Sequence, residues 1–146
     1  MIIHGGLVIK RIKQTWRGAL IEGESGSGKS DLMLRLLDLG FRLVADDRVM
    51  LWRSEGVLYG RAPDPLRGLI EARGVGILTV RAGPFGPVDM VVRCETETQV
   101  DRMPEPGRLE LVGDALPLLA LNALEASAPS KLRRALERLG TLPDGA

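Results

Sequence analysis

Trp16-Arg17-Gly18-Ala19-Leu20-Ile21-Glu22 runs directly into Gly23-Glu24-Ser25-Gly26-Ser27-Gly28-Lys29-Ser30, after which Leu32, Met33, Leu36 and Leu37 recur at helical spacing. A β-type run, a glycine-rich turn and an amphipathic helix over about 28–39, stopped by Gly40, make one strand–loop–helix unit. Residues 23–30 satisfy G-x-x-x-x-G-K-[ST] in the context that motif requires. Its glycines let successive backbone N–H groups face inward as a nest for phosphate oxygens, and the helix N-terminus adds partial positive charge. Lys29 is then set to reach the terminal phosphates of a nucleotide, and the Ser30 hydroxyl to hold Mg²⁺. With glycine at average usage, chance alone produces such a match in a chain this long about 0.5% of the time.

Upstream of this unit, residues 6–12 form a second β-type run, and Lys13-Gln14-Thr15 is polar enough to close a hairpin onto 16–22. Downstream, 41–45 reads as a buried strand ending on Asp46-Asp47, and 49–53 and 57–60 as strands around Ser54-Glu55-Gly56. Residues 61–68 hold Pro63 and Pro65 and read as a loop; Arg73-Gly74-Val75-Gly76 precedes a strand over 76–80. Strands are expected at 88–94, 109–112 and 116–121, with a long polar loop over 95–107. A helical tail follows over about 122–140, split by Pro129, with Leu132, Leu136 and Leu139 on one face. One βαβ-like unit set among many strands predicts an α/β fold with a mixed sheet; a doubly wound domain needs more helices.

The chain has 146 residues, which suits one domain over 1–146. Twenty Lys plus Arg against nineteen Asp plus Glu leave a net charge of +1, so a broad basic field for nucleic acid is absent. Two Trp, one Tyr and two Phe are too few for base-stacking platforms. No apolar run approaches the roughly 18 residues of a membrane span, and the N-terminus lacks the charged lead of a signal peptide. A single cysteine, Cys94, excludes an internal disulfide, and a single histidine, His4, excludes a His-rich metal cluster. A cytoplasmic protein is expected.

Asp46-Asp47 stands seventeen residues beyond Lys29, where the strand after the helix ends beside the phosphate loop in a βαβ unit. Adjacent strand residues point to opposite faces, so the two carboxylates are expected to differ in role. Glu71 and Arg73 flank a glycine turn, a setting in which both are usually solvated. Cys94 reads as a buried strand residue. Lys131, Arg133, Arg134 and Arg138 read as a solvated helix face, with docking of an acidic partner as the functional alternative.

His4-Gly5, GESGSGKS at 23–30, FRLVADDRV at 41–49, LIEARGVGIL at 69–78 and VDR at 100–102 together resemble the catalytic domain of bacterial HPr kinase/phosphorylase. The likeness covers roughly 4–103; the acidic pair followed by E-x-R-G-x-G-I separates it from ordinary phosphate-loop proteins. It implies a phosphoenolpyruvate carboxykinase-like mixed-sheet fold and ATP-dependent phosphorylation of a serine on an HPr-like phosphocarrier of the phosphotransferase system, reversible by inorganic phosphate. It further implies that 23–30 bind ATP, with Gly23, Glu24, Ser25, Gly26, Ser27 and Gly28 as the cradle, Lys29 on the phosphates and Ser30 on Mg²⁺. Asp46 is implied as proton acceptor for the serine and proton donor in reverse, Glu71 as second Mg²⁺ ligand, and His4 as polarising the Asp46–Asp47 pair. Arg102 would offset charge on the transferring group.

Two departures stand out. The chain begins almost at His4, so the family's separate N-terminal domain is expected to be missing, as in short forms from alphaproteobacteria. The family's basic P-V-[RK]-x-G-R loop, tied to dephosphorylation, has as its counterpart Leu116-Pro117-Leu118-Leu119-Ala120-Leu121-Asn122, without arginines; reversal would then use other residues such as Lys131 or Arg133. Full-length members commonly form hexamers, so a homo-oligomer is implied. The rival readings are a small-molecule kinase on the same fold and a nucleotide-binding regulatory module without transfer.

Overall fold

Lys13 and Gln14 both adopt positive φ, 50° and 67°, the two-residue turn whose twist matches that of the strands it joins. It connects β2 (Gly6–Ile12) to β3 (Thr15–Glu22), with Ile12 opposite Thr15, so Thr15 belongs to the strand rather than to the turn. Glu55-Gly56 does the same between β5 (Arg48–Ser54) and β6 (Val57–Arg61), and Val112-Gly113 between β11 (Gly107–Leu111) and β12 (Asp114–Leu121). The computed structural model describes residues 1–96 and 100–139. Part of the loop expected over 95–107, and Gly140 of the expected tail, lie outside the described residues.

Helix α1 (Lys29–Leu37) begins at Gly28, whose φ of 93° sets the left-handed entry. It ends with Phe41 N–H on Leu36 O (3.1 Å) and Gly40 N–H on Leu37 O (3.2 Å), with Gly40 at φ 90°. That is the Schellman arrangement expected of a glycine just past a helix. Helix α2 (Ala128–Leu139) corrects the expected tail: Pro129 does not split a helix but stands in its first turn, where proline loses no hydrogen bond and its fixed φ favours initiation.

The main sheet has the order β11-β12-β10-β3-β2-β4, with β4 at Arg42–Ala45 and β10 at Met90–Cys94. β10 runs parallel to β3 and β12, and β2 antiparallel to β3 and β4. β3 and β4 therefore share a direction with β2 inserted between them, and the carboxyl ends of β3, β4, β10 and β12 meet along one edge. Leu7-Val8-Ile9, Ala19-Leu20-Ile21, Leu43-Val44 and Val91-Val92 are buried as unbroken apolar runs because this sheet is covered on both faces. Val8, Ile21, Leu43 and Val92 pack with Leu32, Met33 and Leu36 of α1 and Leu132 and Leu136 of α2. Leu7, Leu20, Val44 and Val91 pack with Val49, Leu51 and Leu58. The last three belong to a separate four-stranded antiparallel sheet, β1-β5-β6-β9, with β1 at Ile2–His4 and β9 at Gly86–Pro87. The strands beyond Asp47 thus build a second layer as well as extending the first. A two-stranded ribbon, β7 (Leu69–Ala72) with β8 (Gly76–Thr79), completes the fold. No helix among the described residues is long and apolar enough to cross a membrane.

Candidate active site

Open α/β sheets bind ligands outside the carboxyl ends of their strands, and here that edge collects the residues singled out in the sequence. The loop after β3 leads into α1, and Leu32 N–H closes the first turn on Gly28 O at 2.9 Å. The N–H groups of Lys29, Ser30 and Asp31 precede that bond and point out of the helix end. Gly26, at φ 82°, has open space where a side chain would stand. Ser27 Oγ is buried with no hydrogen-bond partner among the described residues. An orphaned hydroxyl is costly unless a ligand satisfies it, so the loop fits a bound phosphate chain. Lys29 Nζ donates to Gly23 O (2.6 Å) and Glu24 O (3.0 Å), holding its ammonium inside the loop.

Asp46 follows β4 on the same edge and is fully engaged. Its Oδ1 accepts the Ser30 hydroxyl at 2.7 Å, and its Oδ2 accepts the Glu71 N–H at 3.0 Å. With its hydrogen directed at Asp46, the Ser30 oxygen keeps its lone pairs for a cation. Glu71 lies exposed on β7. A hydroxyl and a carboxylate are hard oxygen donors of the kind Mg²⁺ takes, usually with substrate phosphates completing the shell. Among the described residues no three His, Cys, Asp or Glu side chains converge as a metal cage.

Asp47 differs from its neighbour. Its side chain is 70% exposed and, among the described residues, is met only by Arg48 Nε at 3.8 Å. Its backbone oxygen accepts the Gly5 N–H at 3.0 Å, and His4 pairs with Arg48 across β1 and β5. The chain terminus is thereby brought against the acidic pair, although the His4 ring makes no hydrogen bond with the described residues. Arg102 is exposed, and no contact among the described residues links it to Asp46, Lys29 or Glu71. Arg73 is exposed on the turn between β7 and β8.

Several residues of this edge carried no signal in the sequence. Arg35 of α1 donates to Asp31 Oδ2 (3.0 Å), to Glu125 O (2.9 Å) and to Ala123 O. Glu22 and Arg93 form an ion pair at 2.8 Å beside the loop. Asn122 and Leu124, after β12, line the same cleft. These partners lie 71 to 90 residues apart in the chain, so no local pattern announces them; only Asp31–Arg35 has recognisable helical spacing. Cys94 is buried as expected, and burial pushes its thiol up to about 11. Lys131, Arg133 and Arg134 pair with Glu125 and Glu137. Residues 116–121, expected as the counterpart of a basic loop, belong to strand β12, paired on both sides.

Residues 2–101 match the family described as HPr Serine kinase C-terminal domain. The HPr kinase/phosphorylase of Limosilactobacillus reuteri (strain DSM 20016) is 40% identical over 106 residues, covering 65% of this chain and 33% of that protein. The HPr kinase/phosphorylase of Leptothrix cholodnii is 53% identical over 66 residues, 44% of this chain and 20% of that one. This chain therefore spans a third or less of the length of these relatives. The solved structure of the Hpr(Ser) kinase/phosphatase from Coxiella burnetii superposes with a TM-score of 0.80 at 24% identity, over 97% of this chain and 90% of that one. The mixed-sheet α/β fold read from the sequence is thus the observed one.

Proposed function

The chain belongs to the HPr serine kinase C-terminal domain family, and on that premise we propose that it transfers a phosphoryl group from ATP to a serine of an HPr-like phosphocarrier protein. The observation that carries this reading is the Asp46 carboxylate, bonded on one side to the phosphate-loop Ser30 and on the other to the Glu71 backbone. It joins a phosphate cradle to an acidic pair within one hydrogen-bonded cluster.

The neighbouring carboxylates divide the work. Asp46 accepts one hydrogen bond on each oxygen, so its role is to orient the Ser30 hydroxyl and leave the Ser30 oxygen facing Mg²⁺, with Glu71 as the second ligand. The resemblance gives Asp46 the base role instead, and comparing Asp46→Asn with Asp47→Asn separates the two assignments. Asp47 carries a largely free carboxylate, so it accepts the proton of the attacking serine; Arg48 and His4 flank it. Mg²⁺, when bound, neutralises charge on the phosphate oxygens. The loop N–H groups and Lys29 fix the donor in line, since phosphoryl transfer asks for positioning and charge stabilisation above all. The bond from phosphorus to the serine oxygen forms as the bond to the leaving diphosphate breaks, and the serine proton passes to Asp47.

A protein acceptor is favoured over a free metabolite by the β7–β8 ribbon, which carries Glu71 and exposes Val75 (75%) and Ile77 (65%). Large apolar side chains held in solvent beside a site mark a docking surface. The free carboxylate of Asp47 favours transfer over nucleotide sensing alone. The test is transfer of label from γ-labelled ATP to a purified HPr-type carrier with Mg²⁺. Label on the carrier with the wild-type chain and none with Asp47→Asn is expected; binding of ATP without transfer to any carrier would overturn the reading. Later addition of inorganic phosphate, with release of labelled pyrophosphate, tests reversal without the basic loop.

A further inference from the structure

The phosphate loop has two sides. Ser30 faces Asp46 on one; on the other a cleft of about 810 Å³ opens, bounded by the loop itself, by Arg93–Thr96 at the end of β10 and by Asn122 and Leu124 after β12. A linear triphosphate with its terminal phosphate toward Asp46 sends its nucleoside into that cleft, which is roomy enough for a base and ribose.

The turn at 122–125 overhangs the start of α1. A side chain added at Gly28 would meet Leu124 Cδ2 at 3.0 Å and Ala123 Cβ at 3.4 Å. Leu124 is nevertheless 72% exposed, an apolar surface facing open space at the rim of a polar cleft. Asn122 Oδ1 accepts the Leu124 N–H at 3.1 Å, which leaves its Nδ2 hydrogens to donate. The turn is not free to swing. Arg35 grips the carbonyls of Ala123 and Glu125 while Asp31 steadies the guanidinium from the preceding helical turn. A planar fork can hold all three partners at once; a lysine ammonium on a flexible stem cannot do so with the same geometry.

Resting on the kinase reading above, we infer that the 122–125 turn is the nucleoside wall of the ATP site. Leu124 is the apolar platform for a purine base, Asn122 the donor beside it, and Arg35 the positioning residue that ties this wall to the phosphate-loop helix. Phosphate affinity and base affinity then reside on separable parts of one edge.

Titration calorimetry with Mg²⁺-ATP and with Mg²⁺-tripolyphosphate, on the full chain, tests this. The wild type is expected to bind ATP at least about tenfold more tightly than tripolyphosphate, a margin of about 1.4 kcal/mol. Arg35→Gln and Leu124→Ser are expected to remove most of that margin while tripolyphosphate affinity stays within about twofold, and Arg35→Lys to restore part of it. Leu124 is exposed, so its variant carries the test even where Arg35→Gln folds poorly. Equal affinity of the wild type for both ligands, or an unchanged margin in both variants, overturns the inference and leaves the phosphate loop's role standing. An equal loss for both ligands in Arg35→Gln assigns Arg35 to stability and overturns its positioning role. A wild type that binds neither ligand overturns the kinase reading, and this inference with it.

Discussion

Two regions meet on Asp46, and they are built in opposite ways. The phosphate loop and α1 are anchored by Leu32, Met33 and Leu36, each at 0% exposure in the core between the helices and the main sheet. The β7–β8 ribbon reaches Asp46 through the Glu71 N–H, yet Ile77, opposite Glu71, and Val75 in the turn stand in solvent. A side chain locked in a close-packed core transmits strain and cannot drift, which suits the placement of phosphates to a fraction of an ångström. The ribbon is anchored by Ile70 in the same core, yet it leaves apolar side chains exposed, which suits the docking surface proposed for it. On the proposed reading, the site joins a buried donor side to an exposed acceptor side.

The sharpest way to break that comparison is to remove chemistry from its junction. Asp47→Asn is expected to lower phosphoryl transfer by about 10²–10⁴-fold while ATP binding persists, the usual loss for a general base. Asp46→Asn should instead weaken Mg²⁺ dependence by loosening Ser30. If Asp46→Asn kept its metal response and only lost transfer, the two roles would be exchanged. Next in size is the contrast in anchoring: Leu36→Ala should cost about 2–5 kcal/mol in urea unfolding, whereas Val75→Ala should fall within about 0.5 kcal/mol of wild type.

The dryness of the donor side can be read at Cys94, which lies beside the loop. With its thiol pushed up to about 11, chiefly by burial, alkylation at pH 7.5 should run about 10²-fold slower than for an ordinary thiol near 8.5 and quicken as pH rises toward 11. Fast labelling at neutral pH would mean that the wall opens. On the acceptor side, Val75→Asp combined with Ile77→Asp should raise the KM for the carrier about tenfold and leave ATP affinity within about twofold, since exposed apolar contacts of this size are worth about 1–2 kcal/mol. An unchanged KM would move the docking surface elsewhere.

The smallest effect belongs to Asp89, just before β10. Burial raises its carboxyl above the ordinary range despite the Gly18 N–H at 2.8 Å and Arg17 at 3.4 Å. The folded chain keeps that proton to higher pH than the unfolded chain. The contribution is therefore complete below the ordinary carboxylate range and fades as pH rises through the raised value. Asp89→Asn should flatten that slope in a plot of Tm against pH and change stability at neutral pH by less than about 1 kcal/mol.

Much of this was legible from local pattern. The phosphate loop, the helix after it, its glycine stop and the hairpin before it depend on residues within about a dozen positions of one another, where backbone preference and periodicity speak directly. Asp46-Asp47 could be placed beside the loop because a strand–helix–strand unit has one handed solution. Their different hydrogen-bond settings were not legible, since the partners of Asp46, Ser30 and Glu71, arrive from either side. Pro129 misled because proline breaks a helix interior but opens a helix end, and the sequence does not mark which turn it occupies.

By itself, then, the sequence determined the phosphate cradle, the acidic pair and an α/β chain, because each is encoded by neighbours along the chain. The tertiary structure alone decided that the β-rich remainder forms two layers over one core, that Asp46 bonds Ser30 and Glu71 while Asp47 stands 70% exposed, and that Arg35 holds a turn 88 to 90 residues away. Those outcomes depend on which apolar faces close over one another, and contacts between distant segments leave no periodicity to read.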